Sequence, residues 1–144
     1  MKQALIDTDI LSMFFHGDAR VVARFDAYTA LYSSLNTTII TYYEIMSGLK
    51  HRGAEKQMAI FLEFASQNNI VPLTESSVAL SAELYATLRA QGTPVDDIDL
   101  LIAGVAMLND WTLVTHNRKH FSRIEGLRVE DWSEPTQAFE PNQT

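Results

Sequence analysis

Cysteine is missing from the 144 residues. That excludes a disulfide framework, a thiolate metal site and a cysteine nucleophile. Positive charge is scarce: 11 Lys and Arg stand against 18 Asp and Glu, a net charge of −7. Binding nucleic acid through bulk positive charge is therefore disfavoured, although an enzyme that meets phosphate through a metal and a few local cations is not. Long apolar runs are missing too. The first, Ala4-Leu5-Ile6, stops at Asp7, too short for a signal peptide or a membrane span. A cytoplasmic protein with no membrane association is the expectation. There is no internal repeat and no low-complexity segment. The apolar fraction, 47%, fits one globular domain long enough to bury a real core.

Strand and helix signals alternate along this chain. After the opening strand, residues 10–15 read as a short helix that stops near His16-Gly17. Asp18 caps a second, in which Val21, Val22, Phe25, Tyr28 and Leu31 recur at helical spacing. Residues 36–41 are β-branched and read as a buried strand. Thr41 followed by Glu44 matches a capping box for the next helix, ending near Arg52-Gly53. Another helix covers residues 58–64. A short strand at 70–73 contains Pro72, which suits a sheet edge or a strand end. Residues 75–89 are helical, with Val78, Leu80, Ala82, Leu84, Tyr85 and Leu88 as core candidates. Gly92-Thr93-Pro94 breaks the chain, and Asp96-Asp97-Ile98-Asp99 opens a strongly apolar helix to Leu108. A strand at 111–115, a turn and short helix at 116–121 and a last strand at 127–129 complete the series. The alternation predicts an α/β fold: a mostly parallel sheet of four to five strands, with helices on both faces. The domain is expected over residues 1–132, with a flexible tail at 133–144.

In such a sheet, loops after successive strands converge at one edge, where ligands bind. Asp7 follows the first strand, Glu44 falls in the first turn after the second, Asp99 begins the apolar helix, and Asn117 follows the fourth strand. Each has an ordinary explanation by itself. Asp7 or Thr8 can be an N-cap, Glu44 a capping-box residue, Asp99 a cap (Asp96 or Asp97 being better placed), and Asn117 a turn residue. Their joint position at four element ends points to a site. Three carboxylates with an amide nearby are all oxygen donors, which suits Mg²⁺ or Mn²⁺ rather than zinc. His16, His51, His116 and His120 show no zinc-helix signature and read as mostly surface residues. Asp7 and Asp9, one residue apart beside an apolar core, repel and desolvate each other unless a cation or a helix N-terminus offsets them.

The segments 5–12 (LIDTDILS), 40–49 (ITYYEIMSGL), 92–103 (GTPVDDIDLLIA), 112–117 (TLVTHN) with Phe121, and 126–132 (GLRVEDW) occur in this order. Together they resemble the PIN-domain ribonucleases, in particular the VapC-type toxins of type II toxin–antitoxin pairs, over residues 3–132. The resemblance implies a PIN-like fold and a Mg²⁺-dependent (or Mn²⁺-dependent) endoribonuclease that cleaves cellular RNA with a metal-activated water. Asp7, Glu44 and Asp99 then take the metal-binding positions, and Asn117 the fourth polar position, which is often Asp. Thr8 and Thr115 take the supporting hydroxyl positions. It also implies a cognate antitoxin and a homodimer, for which Tyr28, Tyr32, Phe61 and Phe64 offer either an interface or plain core. Lys50, Arg52, Arg118 and Lys119 are candidates for contacting RNA, with His116 and His120 close by.

Three other readings compete. A haloacid-dehalogenase-type phosphatase also places Asp7-x-Asp9 after its first strand, but Leu11 stands where its motif wants Thr or Val, and no lysine has a strand-end setting. A non-catalytic interaction module would not need the Asp7-Glu44-Asp99 set. A PIN nuclease of RNA maturation or DNA repair is the remaining alternative, and the compact length favours the toxin.

Overall fold

The computed structural model describes residues 2–135. Among these are five strands and seven helices, with a pair of helices in each of the first three connections between strands: β1 (Ala4–Ile6), α1 (Thr8–Phe15), α2 (Ala19–Tyr32), β2 (Asn36–Thr38), α3 (Ile39–His51), α4 (Glu55–Ser66), β3 (Asn69–Val71), α5 (Glu75–Ala90), α6 (Asp97–Leu108), β4 (Thr112–Val114), α7 (Arg118–Phe121) and β5 (Val129–Glu130). All strand pairings are parallel, in the order β3-β2-β1-β4-β5. The chain starts in the middle strand, winds out to one edge, then returns and winds to the other. That reversal leaves a crevice at the carboxyl ends of β1 and β4, the place where open α/β sheets bind ligands. The predicted edge position of the third strand holds, with Pro72 just beyond it.

Side chains alternate across the pleat and divide the core into two clusters. Ala4, Ile6 and Val114 face one side, against Ile10 and Leu11 of α1, Phe25 and Tyr28 of α2, and Phe61 of α4. Leu5 and Leu113 face the other, against Leu88 of α5 and the apolar length of α6. Tyr28 and Phe61 are fully buried, and Tyr32 and Phe64 pack on the same cluster. Tyr28 and Phe61 are thus core, while Tyr32 and Phe64 are half-buried at its edge.

Only one residue pair, Leu5 with Asn36, aligns β1 with β2. Side chains supply further links: Asn36 Nδ2 donates to the Ala4 carbonyl at 3.1 Å and Thr37 Oγ1 to the Ile6 carbonyl at 2.8 Å. The second strand is shorter than the β-branched run predicts, because Thr38 caps α3: its hydroxyl accepts from the Thr41 amide at 3.1 Å. Thr41 is thus inside α3, and Glu44 lies in its second turn, not its first.

Helix α5 differs from the periodic expectation. Val78 and Tyr85 are exposed, whereas Ser77 and Ser81 are buried with Leu88. The reason is its contact with α6 at Gly104. Ser81 Oγ donates to the Leu100 carbonyl at 2.7 Å, so the two helices are joined by a polar, close-approach seam. A β-carbon on Gly104 would lie 2.6 Å from the Ser77 carbonyl oxygen, well inside contact.

Gly104→Ala should destabilise the fold by about 1–3 kcal/mol, the cost of overpacking a tight core. Gly48→Ala in α3, where the nearest atom to an added Cβ is Arg52 Nη1 at 3.5 Å, should be neutral or stabilising by up to ~1 kcal/mol, because alanine favours helix. Urea unfolding of the two variants checks this pair; equal effects would contradict the close-packed seam.

Candidate active site at the switch point

Asp7 is the first residue past β1, and its amide donates to the Val114 carbonyl at 2.9 Å, continuing the β1–β4 pairing. The side chain is 7% exposed. Its Oδ1 caps α1 by accepting from the Thr8 amide at 2.8 Å. Its Oδ2 accepts from Thr115 Oγ1 at 2.8 Å. Asp7 is therefore both a helix cap and a member of the site; the two readings of this residue are compatible. Thr115, fully buried just past β4, has one hydroxyl proton and directs it at Asp7, while its oxygen accepts from the Asn117 amide at 3.0 Å.

On the α3 side, Thr8 Oγ1 donates to Glu44 Oε1 at 2.6 Å. That occupies its single proton, so the 2.9 Å contact between the Thr8 and Thr41 hydroxyls must be donated by buried Thr41. The order Thr41 to Thr8 to Glu44 ties α1 to α3 and holds the Glu44 carboxylate at the cleft. Asp99 enters from the first turn of α6, whose cap is Asp96.

Burial, then the charge of Asp9, pushes the Asp7 carboxyl up to about 7 from 3.8, Asp99 adding to the effect. Asp99 is raised as well, by burial first and by Asp96, with Glu44 and Asp9 contributing and His120 acting in the opposite direction. Asp9 is raised by burial, against hydrogen bonds from the amides of Ile10 and His116. These carboxylates thus sense one another across one crevice. Among the described residues no lysine or arginine forms an ion pair with any of them. All-oxygen donors and raised carboxyl groups with no lysine or arginine paired to them fit a divalent ion. Asp7, Asp99, Glu44 and Asp9 are the side chains that could hold it. Their ligand oxygens do not gather three at a time within 4.8 Å among the described residues; His116, Asp131 and Glu134 do, at the rim. The crevice is the better site, because Glu44 already reaches it through Thr8, whereas Asp131 is committed to His116 and Ser133.

Those partners explain the rim. Asp131 accepts from His116 Nδ1 at 2.8 Å and from the amide and hydroxyl of Ser133 at 2.9 and 2.6 Å. Burial alone would raise its carboxyl, but the bonds from Ser133 and His116 hold it low. His116 is raised in turn, by its bond to Asp131. The His116 amide donates to Asp9 Oδ2 at 3.1 Å, so this clamp fixes the loop that carries Thr115.

The structure brings Asp7, Glu44, Asp99, Thr8 and Thr115 to one crevice. Asn117 joins only indirectly: its side chain meets His120 Nδ1 at 3.1 Å, not a carboxylate. Asp9 belongs to the crevice and was not among the candidate site residues, although the Asp-x-Asp spacing was its signal. Lys50, Arg52, Arg118 and Lys119 are exposed on the two sides, in α3 and its cap and in α7. Of the expected tail, Ser133 is bonded to Asp131, and residues 136–144 lie outside the described chain. No helix among the described residues is long and apolar enough to cross a membrane.

A parallel sheet with an acidic crevice at its switch point is what the PIN domain provides, and the PIN-domain family model matches residues 4–127. The chain belongs to that family. Within it, the chain is similar to the tRNA(fMet)-specific endonuclease VapC of Shigella flexneri, at 33% identity over 95 residues, 65% of this chain and 72% of the relative. Ribonuclease VapC1 of Haemophilus influenzae strain R2866 is 28% identical over 130 residues, 90% of this chain and 97% of the relative. Among solved structures, DNA-bound VapBC from Salmonella typhimurium superposes with a TM-score of 0.81 at 28% identity, covering 92% of this chain and 99% of that one. VapBC-1 from nontypeable Haemophilus influenzae gives 0.78 at 26% identity, covering 91% and 98%. The chain is thus of the VapC ribonuclease type, and the phosphatase alternative finds no support in these likenesses.

The raised Asp7 carboxyl sets a pH dependence. In the unfolded chain Asp7 ionises near 3.8; in the fold it keeps its proton to about 7. The folded state binds more protons in between, so metal-free stability should fall as pH rises through that window. Mg²⁺ or Mn²⁺ should raise the melting temperature more at about pH 8 than at about pH 5, since a bound ion needs the ionised form. In Asp7→Asn, which can still cap α1, the decline should flatten and the metal shift should largely vanish. Melting curves with and without metal decide; a metal shift that is the same at both pH values would contradict Asp7 as a ligand.

Proposed function

We propose that this chain is a Mg²⁺-dependent (or Mn²⁺-dependent) endoribonuclease acting as the toxin of a toxin–antitoxin pair. The observation that carries the reading is the convergence of Asp7, Asp99 and Glu44 at the carboxyl ends of β1 and β4, with no lysine or arginine ion-paired to them among the described residues. Asp7 and Asp99, with Glu44, hold the cation. Bound there, a divalent ion lowers the pKa of a coordinated water and offsets the charge that develops on the scissile phosphate. Thr115 fixes Asp7 through Oδ2, and Thr8 holds Glu44 at the edge of the crevice, so protein hydroxyls orient both carboxylates. Asn117 acts through His120 at the α7 side of the crevice. Lys50 and Arg52 on one side, Arg118 and Lys119 on the other, guide an RNA backbone into an otherwise acidic cleft.

The partner in this reading is an antitoxin whose segment covers the cleft; the likeness to VapBC structures supports it. A homodimer is also part of the reading. Its surface would use exposed apolar side chains such as Ile39 and Tyr43 of α3 and Val78 and Tyr85 of α5, not the buried aromatics.

Purified protein incubated with total cellular RNA and Mg²⁺ should give discrete fragments that disappear with EDTA. Asp7→Asn and Asp99→Asn should each lower the rate by roughly 10²–10³-fold, the scale for losing one charge-stabilising group. Thr115→Ala should cost roughly 10–100-fold, as removal of a ligand's hydrogen-bond support does. Folded protein that binds Mg²⁺ and leaves all RNA intact would overturn the nuclease reading.

A further inference from the structure

A cavity of about 280 Å³ opens directly beside the acidic crevice. Three helices supply one face each: α1 through Thr8, Ser12 and His16, α3 through Glu44, Gly48 and the capping Arg52, and α4 through Gln57 and Ile60. Thr8 and Glu44 belong to both the cavity and the crevice, so whatever fills the cavity lies next to the reacting centre. Eight residues separate Thr8 from His16 and Glu44 from Arg52, so the trough runs about 12 Å away from the acids at 1.5 Å rise per residue. Its floor is apolar and aromatic, with Phe15 and Phe61 5.9 Å apart edge to face. Its rim is polar, and the charge at its far end is the positive Arg52.

Gly48 has no conformational reason to be glycine. It sits inside α3, where glycine costs about 1 kcal/mol against alanine, and it has no positive φ. It leaves the trough wall bare: Arg52 Nη1 lies 3.5 Å from the point where its Cβ would be, so a methyl is tolerated and only a larger side chain would fill the trough. The exposed Arg52 side chain folds back over Gly48 and lines the solvent-facing end of the trough. Among the described residues Arg52 has no carboxylate partner.

We propose that this trough is the specificity subsite for an unpaired RNA base adjacent to the scissile bond. The inference rests on the nuclease reading above. Unpaired bases are recognised by stacking on aromatic rings or guanidinium planes and by hydrogen bonds to their edges. The trough offers both: Phe15 and Arg52 for the faces, and Ser12, His16 and Gln57 for the edges. Its mixed lining and short length suit one flipped-out base better than the apolar stripe of a partner helix. An acidic reacting centre at one end and a cation at the other match a nucleotide whose neighbouring phosphates lie one at the metal and one at Arg52.

The test uses fluorescein-labelled single-stranded RNA pentamers, each intact or carrying one abasic position, with anisotropy as readout. Binding is measured with Mg²⁺ in an Asp99→Asn background, where cleavage is slow enough for anisotropy to be read before product forms. One abasic position should weaken binding roughly tenfold, the scale of losing one stacked base. In Gly48→Leu, which fills the trough, and in Arg52→Ala/Gln57→Ala, whose positions are exposed, that position-specific penalty should vanish while each variant melts like its parent. The inference is overturned if the abasic penalty is the same in both variants as in the parent. It is equally overturned if no position is special, if the parent binds no pentamer, or if the variants weaken binding of a protein partner and leave RNA binding unchanged. Failure of the nuclease reading shows differently: the unmodified chain binds the pentamers but cuts none with Mg²⁺ present.

Discussion

The hydrogen bond from Thr115 to Asp7 is the contact on which the site depends. It joins the residues that follow β1 and β4, the two strands between which the sheet reverses direction. From Asp7 the connections run outward: to α1 through its cap, from α1 to α3 through Thr8, and from Thr115 to the His116–Asp131 clamp at the end of β5. A carboxylate this well buried is unfavourable alone, which is why each of its oxygens has a donor and why neighbouring acids drive it toward its neutral form. The fold tolerates that cost at the one position where a cation would relieve it.

The walls around this centre differ in how they are held. Helix α6 is joined to α5 by a glycine that admits no side chain and by the Ser81 hydroxyl, which donates to the Leu100 carbonyl. Asp99 therefore arrives on a rigid element. Opposite it, α7 is four residues long and its polar side chains are exposed.

Much of this was legible in the sequence, and the exceptions have physical causes. Strand, acid, helix start at Ala4 to Thr8 was readable because apolar periodicity and a cap coincide there. The edge position of β3 followed from Pro72. Glu44 was placed in the wrong turn because Thr38 and Thr41 both offer a capping hydroxyl, and the pattern with Glu44 three residues on favoured the second; backbone geometry chose the first. The core face of α5 was misread because hydrophobic periodicity cannot see Ser77 and Ser81, which are buried for their size and their bonds to carbonyls. Tyr28, Tyr32, Phe61 and Phe64 left interface and core open; burial assigns Tyr28 and Phe61 to the core, with Tyr32 and Phe64 half-buried against it. Asp9 was visible as an acid but not as a member of the crevice, since its bond to the His116 amide joins residues 107 positions apart. The separation of Asn117 from the acids was likewise beyond sequence, because it depends on a side chain turning to His120.

The division of the core by the sheet has an optical consequence. The chain has two tryptophans. Trp132 is buried against Phe25 and Tyr28 on one side, with the Arg24 guanidinium 5.5 Å from its ring. Trp111 packs on the cluster of the opposite side. Each half of the interior thus carries its own intrinsic fluorophore, in a different electrostatic setting. Replacing either one by phenylalanine leaves a protein whose emission follows a single face of the sheet, so the order in which the two halves consolidate around the acidic crevice can be followed without a label.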